Sequence, residues 1–305
     1  MDLEQKSIER IRLASEMSLQ HYKQPLICTY SGGKDSDVTL ELFKRSGVPF
    51  EVQHSLTTAD APPTVKHIKK TFRDLELKGI KATVNYPMYK GERTSMWRLI
   101  PQKRMPPTRT ARYCCKILKE NAGNGRYVAT GVRWDESTYR SSRAEFEKNG
   151  KNKKEVENFS TIMLIGDNDA RRRMTEACMQ KKKMTVNPII DWKNRDIWSY
   201  IRSEHIEVCS LYECGYDRVG CIGCPMAGKK RWKEFRDFPT YERAYKKAFE
   251  RMLEELKKTG KSIKCKNAEE VFLWWMEDEN ISGQMSFLDF PEVIPEEMRK
   301  WKIEF

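Results

Sequence analysis

Short apolar runs alternate with helix-period segments through the first half of the chain. Residues 26–30 and 50–56, rich in β-formers, read as strands, as do 82–86 and 126–132. Helix patterns at 37–45 and 64–77 fall between them. This alternation predicts an α/β fold with a doubly wound parallel sheet and ligands at the carboxyl ends of its strands. Residues 1–24 form a charged amphipathic helix pattern, and 143–183 a highly charged excursion whose apolar stretch 161–165 reads as one strand. A short helix is expected at 197–206, a long amphipathic one at 231–258 and another at 268–276, with Trp274 and Trp275 in its core. The expected organisation is an N-terminal helix (1–24), an α/β domain (25–230) and a C-terminal helical segment (231–305).

Charge sharpens this picture. The 305 residues carry 57 Lys+Arg against 44 Asp+Glu, a net +13, which points to polyanionic partners. Seven of those bases lie between Arg98 and Lys119 (Arg98, Lys103, Arg104, Arg109, Arg112, Lys116, Lys119) with no acid among them, and a second cluster runs from Arg171–Arg173 to Lys181–Lys183. No run approaches the ~18 apolar residues of a membrane span, and no secretory pattern opens the sequence. Nine cysteines without an export signal imply a reducing, cytoplasmic setting, with metal or redox chemistry in place of disulfides.

The chemistry concentrates in two places. Ser31-Gly32-Gly33-Lys34-Asp35-Ser36 sits between the first strand and a helix. Two glycines let backbone N–H groups turn inward as a nest; the helix N-terminus and Lys34 add positive charge, and Ser31 and Ser36 add hydroxyls. The spacing is not that of the GxxxxGK[ST] loop. It resembles the PP-loop of the ATP pyrophosphatases, which cleave ATP between the α and β phosphates.

The second place is a set of thiols. Cys114-Cys115 stand in tandem, and Cys221-Ile222-Gly223-Cys224 is a CxxC followed by Pro225. Two close pairs can wrap one soft metal centre. A tandem pair points its side chains apart and suits an iron–sulfur cluster better than zinc, although both remain compatible with the spacing. Arg112 and Lys116 beside the pair would offset a cluster's negative charge. Cys214 is a further thiol near the CxxC, whether spare ligand, sulfur carrier or neither.

From 25 to 225 the chain resembles the phosphoadenylyl-sulfate reductase family of the PP-loop superfamily, whose fold is Rossmann-like (adenine nucleotide alpha-hydrolase-like). The matching pieces are SGGKDS at 31–36, TTxDxPP at 57–63, PPTR…RYCCK at 106–116, GVRxxES…R at 131–140, NPIIDW…DIW at 187–198 and LYxxGYDRVGCxxCP at 211–225. A tandem Cys-Cys with a distant CxxC is the 4Fe-4S pattern of adenylyl-sulfate reductases, so the resemblance implies a 4Fe-4S cluster on Cys114, Cys115, Cys221 and Cys224. It also implies that Gly131 and Arg133 approach the nucleotide, with Arg133 a phosphate or sulfate ligand. Glu136 and Arg140 pair with each other or serve substrate, Thr57, Thr58 and Asp60 lie where adenosine would contact the fold, and 187–198 is architectural.

Two departures set the expected reaction. The family's reductases use a cysteine in a C-terminal Glu-Cys-Gly-hydrophobic-His motif, whereas the last cysteine here, Cys265, sits in Lys-Cys-Lys. Their loops are typically degenerate, and this one keeps both glycines, Lys34 and Asp35. The pattern therefore resembles the PP-loop subunit of DNA phosphorothioation systems and its prophage relatives. The implied enzyme binds ATP with Mg²⁺ bridging its β,γ-phosphates, Lys34 and Asp35 assisting, and adenylylates an acceptor, expected to be nucleic acid held by the basic surface. Sulfur from a cysteine desulfurase or another thiol donor protein then displaces AMP. The alternatives are thiol-dependent reduction of (phospho)adenylyl sulfate to sulfite, and a non-catalytic nucleic-acid-binding module stapled by zinc.

Overall fold

The computed structural model describes residues 2–120, 123, 125–137, 140–148, 183–260 and 265–277. They divide into two compact units that interleave along the chain: 1–55, 62–85 and 121–220 form the first, and 56–61, 86–120 and 221–305 the second.

The first unit is built on a six-stranded sheet of order β3-β2-β1-β6-β8-β7. Its strands are β1 (Leu26–Thr29), β2 (Phe50–Ser55), β3 (Ala82–Asn85), β6 (Tyr127–Ala129), β7 (Phe146–Lys148) and β8 (Met184–Val186). All neighbours pair in parallel except β7 against β8. The doubly wound fold expected from the sequence is present, with an antiparallel edge strand added. Chain order runs outward from β1 through β2 to β3, then resumes on its other side at β6. A topological switch point therefore lies at β1/β6, where an open α/β sheet leaves a crevice for ligands. Helices α1 (Leu3–Met17), α2 (Lys34–Ser46) and α3 (Pro62–Leu77) supply the apolar stripes that cover the sheet. Ile8, Ile11, Leu42, Phe43, Ile68 and Phe72 join Leu26, Val52 and Val186 in one buried cluster. Within the segment 187–198, expected to be architectural, Asn187 and Trp192 are buried and Trp198 is half-buried, and Asp191 accepts from Nη1 of Arg10 in α1 at 2.7 Å.

The second unit contains the hairpin β4–β5 (Met88–Tyr89, Glu92–Arg93), helices α4 (Met96–Lys103) and α5 (Tyr113–Leu118), and three C-terminal helices. The expected long helix from 231 is two, Lys230–Asp237 and Pro239–Lys258. Pro239 forces the break: its ring disfavours helical geometry at Phe238, which takes φ −129° and ψ 66°. With the last helix, Ala268–Met276, these surround an aromatic core in which Tyr245 and Trp275 lie 4.6 Å apart between centroids. Trp275 is buried, and Trp274 only half so. The expected strand at 161–165 and the Arg171–Arg173 cluster lie outside the described residues.

Candidate functional site

Ser31–Ser36 occupies the carboxyl end of β1, at the switch point. Gly32 adopts φ +74°, and a Cβ there would stand 2.8 Å from Ile68 Cγ1 and 3.2 Å from Thr64 Cγ2. Both the backbone conformation and the packing against α3 thus demand glycine. Ser36 Oγ knots the loop: it accepts from the Gly33 amide at 3.1 Å and the Ser31 amide at 3.3 Å, and donates to the Gly33 carbonyl at 2.7 Å. Helix α2 begins at Lys34, so its N-terminal dipole and first amides face the loop.

The charges form a chain. Lys34 Nζ meets Asp35 Oδ2 at 3.1 Å, and Asp35 Oδ1 accepts from Arg133 Nε at 2.7 Å. Arg133 is buried and also donates through Nη1 to the Trp192 carbonyl at 3.3 Å. Gly131 packs close against the start of α2, where a Cβ would meet the Asp35 carbonyl oxygen at 3.1 Å. Both oxygens of Asp35 are engaged by cations, so the loop acid links Lys34 to Arg133. Glu136 pairs with Arg140 and accepts the Arg133 amide at 3.1 Å, so these two residues brace the β6 exit.

Two features of the loop were invisible in the sequence. Tyr30, Asp37 and His67 form a buried polar cluster beneath it, with Tyr30 Oη to Asp37 Oδ1 at 2.5 Å and His67 Nε2 to the same oxygen at 3.0 Å. Burial pushes the Asp37 carboxyl up and the Tyr30 phenol up as well. The second feature is the Lys34 amide, which donates to Tyr212 Oη at 3.0 Å. Tyr212 lies 178 residues from Lys34, so no local spacing could have announced it.

In the second unit, four cysteines gather around one short antiparallel bridge. Asp60 bridges to Cys221, the Ile222 amide donates to the Ala59 carbonyl at 2.8 Å, and the Thr57 amide donates to Asp60 Oδ2 at 3.3 Å. Thr57, Thr58 and Asp60 thus sit with the thiols: they support the CxxC turn. Thr58 holds φ +63°, unusual for a β-branched residue, and its Oγ1 accepts the Met96 amide at 2.9 Å. Gly223 of the CxxC is fixed beneath the aromatic core, since a Cβ would come within 2.5 Å of Phe235 Cζ.

The electrostatics of this cluster set its thiols apart. The Cys115 thiol is pulled well below its usual range by the hydrogen bond from Cys114, against burial, and by Arg112, whose Nη2 lies 3.6 Å from its Sγ. Cys114 is pushed up by the same bond, by burial and by the neighbouring sulfurs of Cys115, Cys221 and Cys224. Burial raises Cys221, while Lys119 opposes the shift; in return Cys221, Asp60 and Cys115 hold Lys119 charged. Among the described residues no three His, Cys, Asp or Glu side chains are arrayed at ligating distances. The donor set nevertheless fits a thiolate-bound cluster chemically, with four cysteines near enough to act on one another electrostatically and with Arg112 and Lys119 to offset its charge.

A family model of the phosphoadenosine phosphosulfate reductase domain matches residues 25–227. An uncharacterised protein of Methanocaldococcus jannaschii is 26% identical over 265 residues, covering 85% of this chain and 54% of that protein. The chain spans about half the length of the curated relatives it matches, 40% and 54% of two of them. Among solved structures, phosphoadenylyl-sulfate reductase from Candida auris is 15% identical with a TM-score of 0.45, covering 71% of this chain and 88% of its own. A U34-tRNA thiolase from Methanococcus maripaludis with its [4Fe-4S] cluster is 12% identical with a TM-score of 0.32, covering 87% and 86%. No described helix is long and apolar enough to cross a membrane.

Proposed function

The chain belongs to the phosphoadenosine phosphosulfate reductase family, a family of enzymes, and on that premise we propose that it cleaves ATP to AMP and pyrophosphate to activate an acceptor for sulfur transfer. One observation carries this reading. The SGGKDS loop is intact, held open by Gly32 at the β1/β6 switch point, with Lys34 and the α2 N-terminus beside it. Such a nest suits the diphosphate tail of a nucleoside triphosphate, a group that a sulfonucleotide lacks.

An acceptor oxygen attacks the α-phosphorus; the new O–P bond forms as the bond to the bridging oxygen breaks, and pyrophosphate departs with its charge offset by Lys34 and the loop amides. The outer sulfur of a persulfide on a donor protein, such as a cysteine desulfurase, then displaces AMP. A second thiol of a donor protein cleaves the remaining S–S bond, ending as a disulfide with the donor cysteine while the acceptor keeps the sulfur. Cys114, Cys115, Cys221 and Cys224 would hold a 4Fe-4S cluster, which would supply a structural and electrostatic staple.

Nucleic acid is the acceptor class that the surface supports. Arg98, Arg104, Arg109, Arg112 and Lys116 are exposed in the second unit. The hairpin in that unit adds Arg93 stacked 4.4 Å over the ring of Tyr86, itself 53% exposed. Cations interleaved with exposed aromatics fit phosphates and unstacked bases.

Product analysis with α- and γ-labelled ATP tests the reaction: AMP and pyrophosphate are expected, and ADP with phosphate would refute it. Reduction of (phospho)adenylyl sulfate is the second reading, favoured by the family's name. Sulfite formed with thioredoxin in the absence of ATP would establish that reaction instead.

A further inference from the structure

We infer that the Tyr212 hydroxyl is a place-holder for a phosphate oxygen: it occupies the Lys34 amide when the loop is empty and must leave when the diphosphate tail binds. This rests on the reading of Ser31–Ser36 as the pyrophosphate loop and adds to it a residue that sets the loop's affinity.

The Lys34 amide is the first of helix α2 and belongs to the nest that would receive phosphate. It is committed to Tyr212 Oη at 3.0 Å. The same oxygen stands 3.5 Å from where a Cβ on Gly33 would be, so the phenol lies against the loop. A phosphate oxygen and a phenol oxygen cannot both accept this one N–H at hydrogen-bond distance. Burial pushes the phenol up, which keeps it neutral and makes it a weaker acceptor than an anionic phosphate. A neutral group thus satisfies a half-buried amide in the empty state and yields to a charged one.

The tyrosine sits at the edge of the core. Its turn, Ser210–Tyr212, is anchored behind by Cys209 and Leu211, both buried, and its ring packs edge-on to Trp198 at 5.2 Å between centroids. Immediately after it Glu213, Cys214 and Gly215 are exposed, and Gly215 sits at φ +75° with open space around it. Tyr212 therefore stands at the border between a buried base and an exposed turn.

The test is calorimetric titration of the full chain with inorganic pyrophosphate in the presence of Mg²⁺, comparing wild type with Tyr212→Phe. The variant keeps the ring and loses only the competing oxygen. Pyrophosphate should bind about 2- to 10-fold more tightly, the range of one net hydrogen bond that no longer has to be broken. Affinity that is equal or weaker would overturn the inference and leave the loop assignment standing; no binding to wild type would overturn both. A second measurement needs no variant. Amide exchange in the 211–218 peptide of wild type should quicken when pyrophosphate is added, and unchanged or slower exchange would contradict displacement of the tyrosine.

Discussion

Asp35 Oδ1 and Arg133 Nε are joined at 2.7 Å across 98 residues of sequence. This bond ties the loop after β1 to the exit of β6, the two sides of the switch-point crevice. Arg133 reaches Asp35 and the Trp192 carbonyl with different nitrogens, a division that a planar guanidinium permits and an ammonium does not. Arg133→Ala should lower pyrophosphate release from ATP about 10- to 100-fold through loss of loop alignment. Arg133→Lys should fail to restore it. Rescue by lysine, measured in the same assay, would show that charge alone matters.

Gly32→Ala tests the shape of the nest. The substitution meets both a left-handed backbone and a 2.8 Å approach to Ile68 Cγ1. A stability loss of about 1–3 kcal/mol in urea unfolding is expected, together with loss of pyrophosphate binding. Gly47→Ala is the control, because φ there is also positive at +73° but nothing lies within 4 Å. It should carry a backbone cost and keep binding.

Much of the fold was legible because strands and helices differ in period. The strand expected at 26–30 runs over Leu26–Thr29, and the helix expected at 268–276 is Ala268–Met276. The loop was legible too, since glycine in a strand–helix turn has few other uses. What escaped was contact between distant segments. TTxD at 57–60 is expected near the nucleotide, and what its spacing hides is the bridge from Asp60 to Cys221, a pairing across 161 residues that ties it to the thiols. Tyr212 meets the Lys34 amide across 178 residues, a contact that no local pattern carries. The break at Phe238 was local chemistry carried by Pro239, hidden because the apolar stripe continues across it.

Cysteine substitutions separate the candidate metals. Anaerobically purified protein should contain iron and acid-labile sulfide in a ratio near unity. Cys221→Ser and Cys115→Ser should each lose most of both, whereas Cys214→Ser should retain them. Stoichiometric zinc in a colourless protein would contradict the cluster. Lys119→Ala should leave the metal content high but lower the cluster's reduction potential, because it removes a cation held beside Cys221, Asp60 and Cys115.

The anchor of α1 carries a pH signature. Burial disfavours a charged Asp191, but hydrogen bonds from Arg10 and Lys6 prevail and hold its carboxyl below the ordinary 3.8. A depressed carboxylate contributes stability that is complete above its unfolded value and drains away as pH falls through the folded one. Unfolding followed from pH ~7 down to ~2 should therefore show an acid limb that Asp191→Asn flattens. At neutral pH the same change should cost about 2–4 kcal/mol, because Arg10 is left buried with Glu145 as its remaining carboxylate. An acid limb identical in the variant would remove Asp191 from the account.

The central claim is that the loop holds the pyrophosphate of ATP while an acceptor attacks. Its most direct test is pyrophosphate release by the anaerobically purified chain, with and without DNA or tRNA, in wild type and Lys34→Ala. The account predicts release that nucleic acid stimulates and that Lys34→Ala abolishes while iron content is unchanged. Undiminished turnover in Lys34→Ala would contradict it.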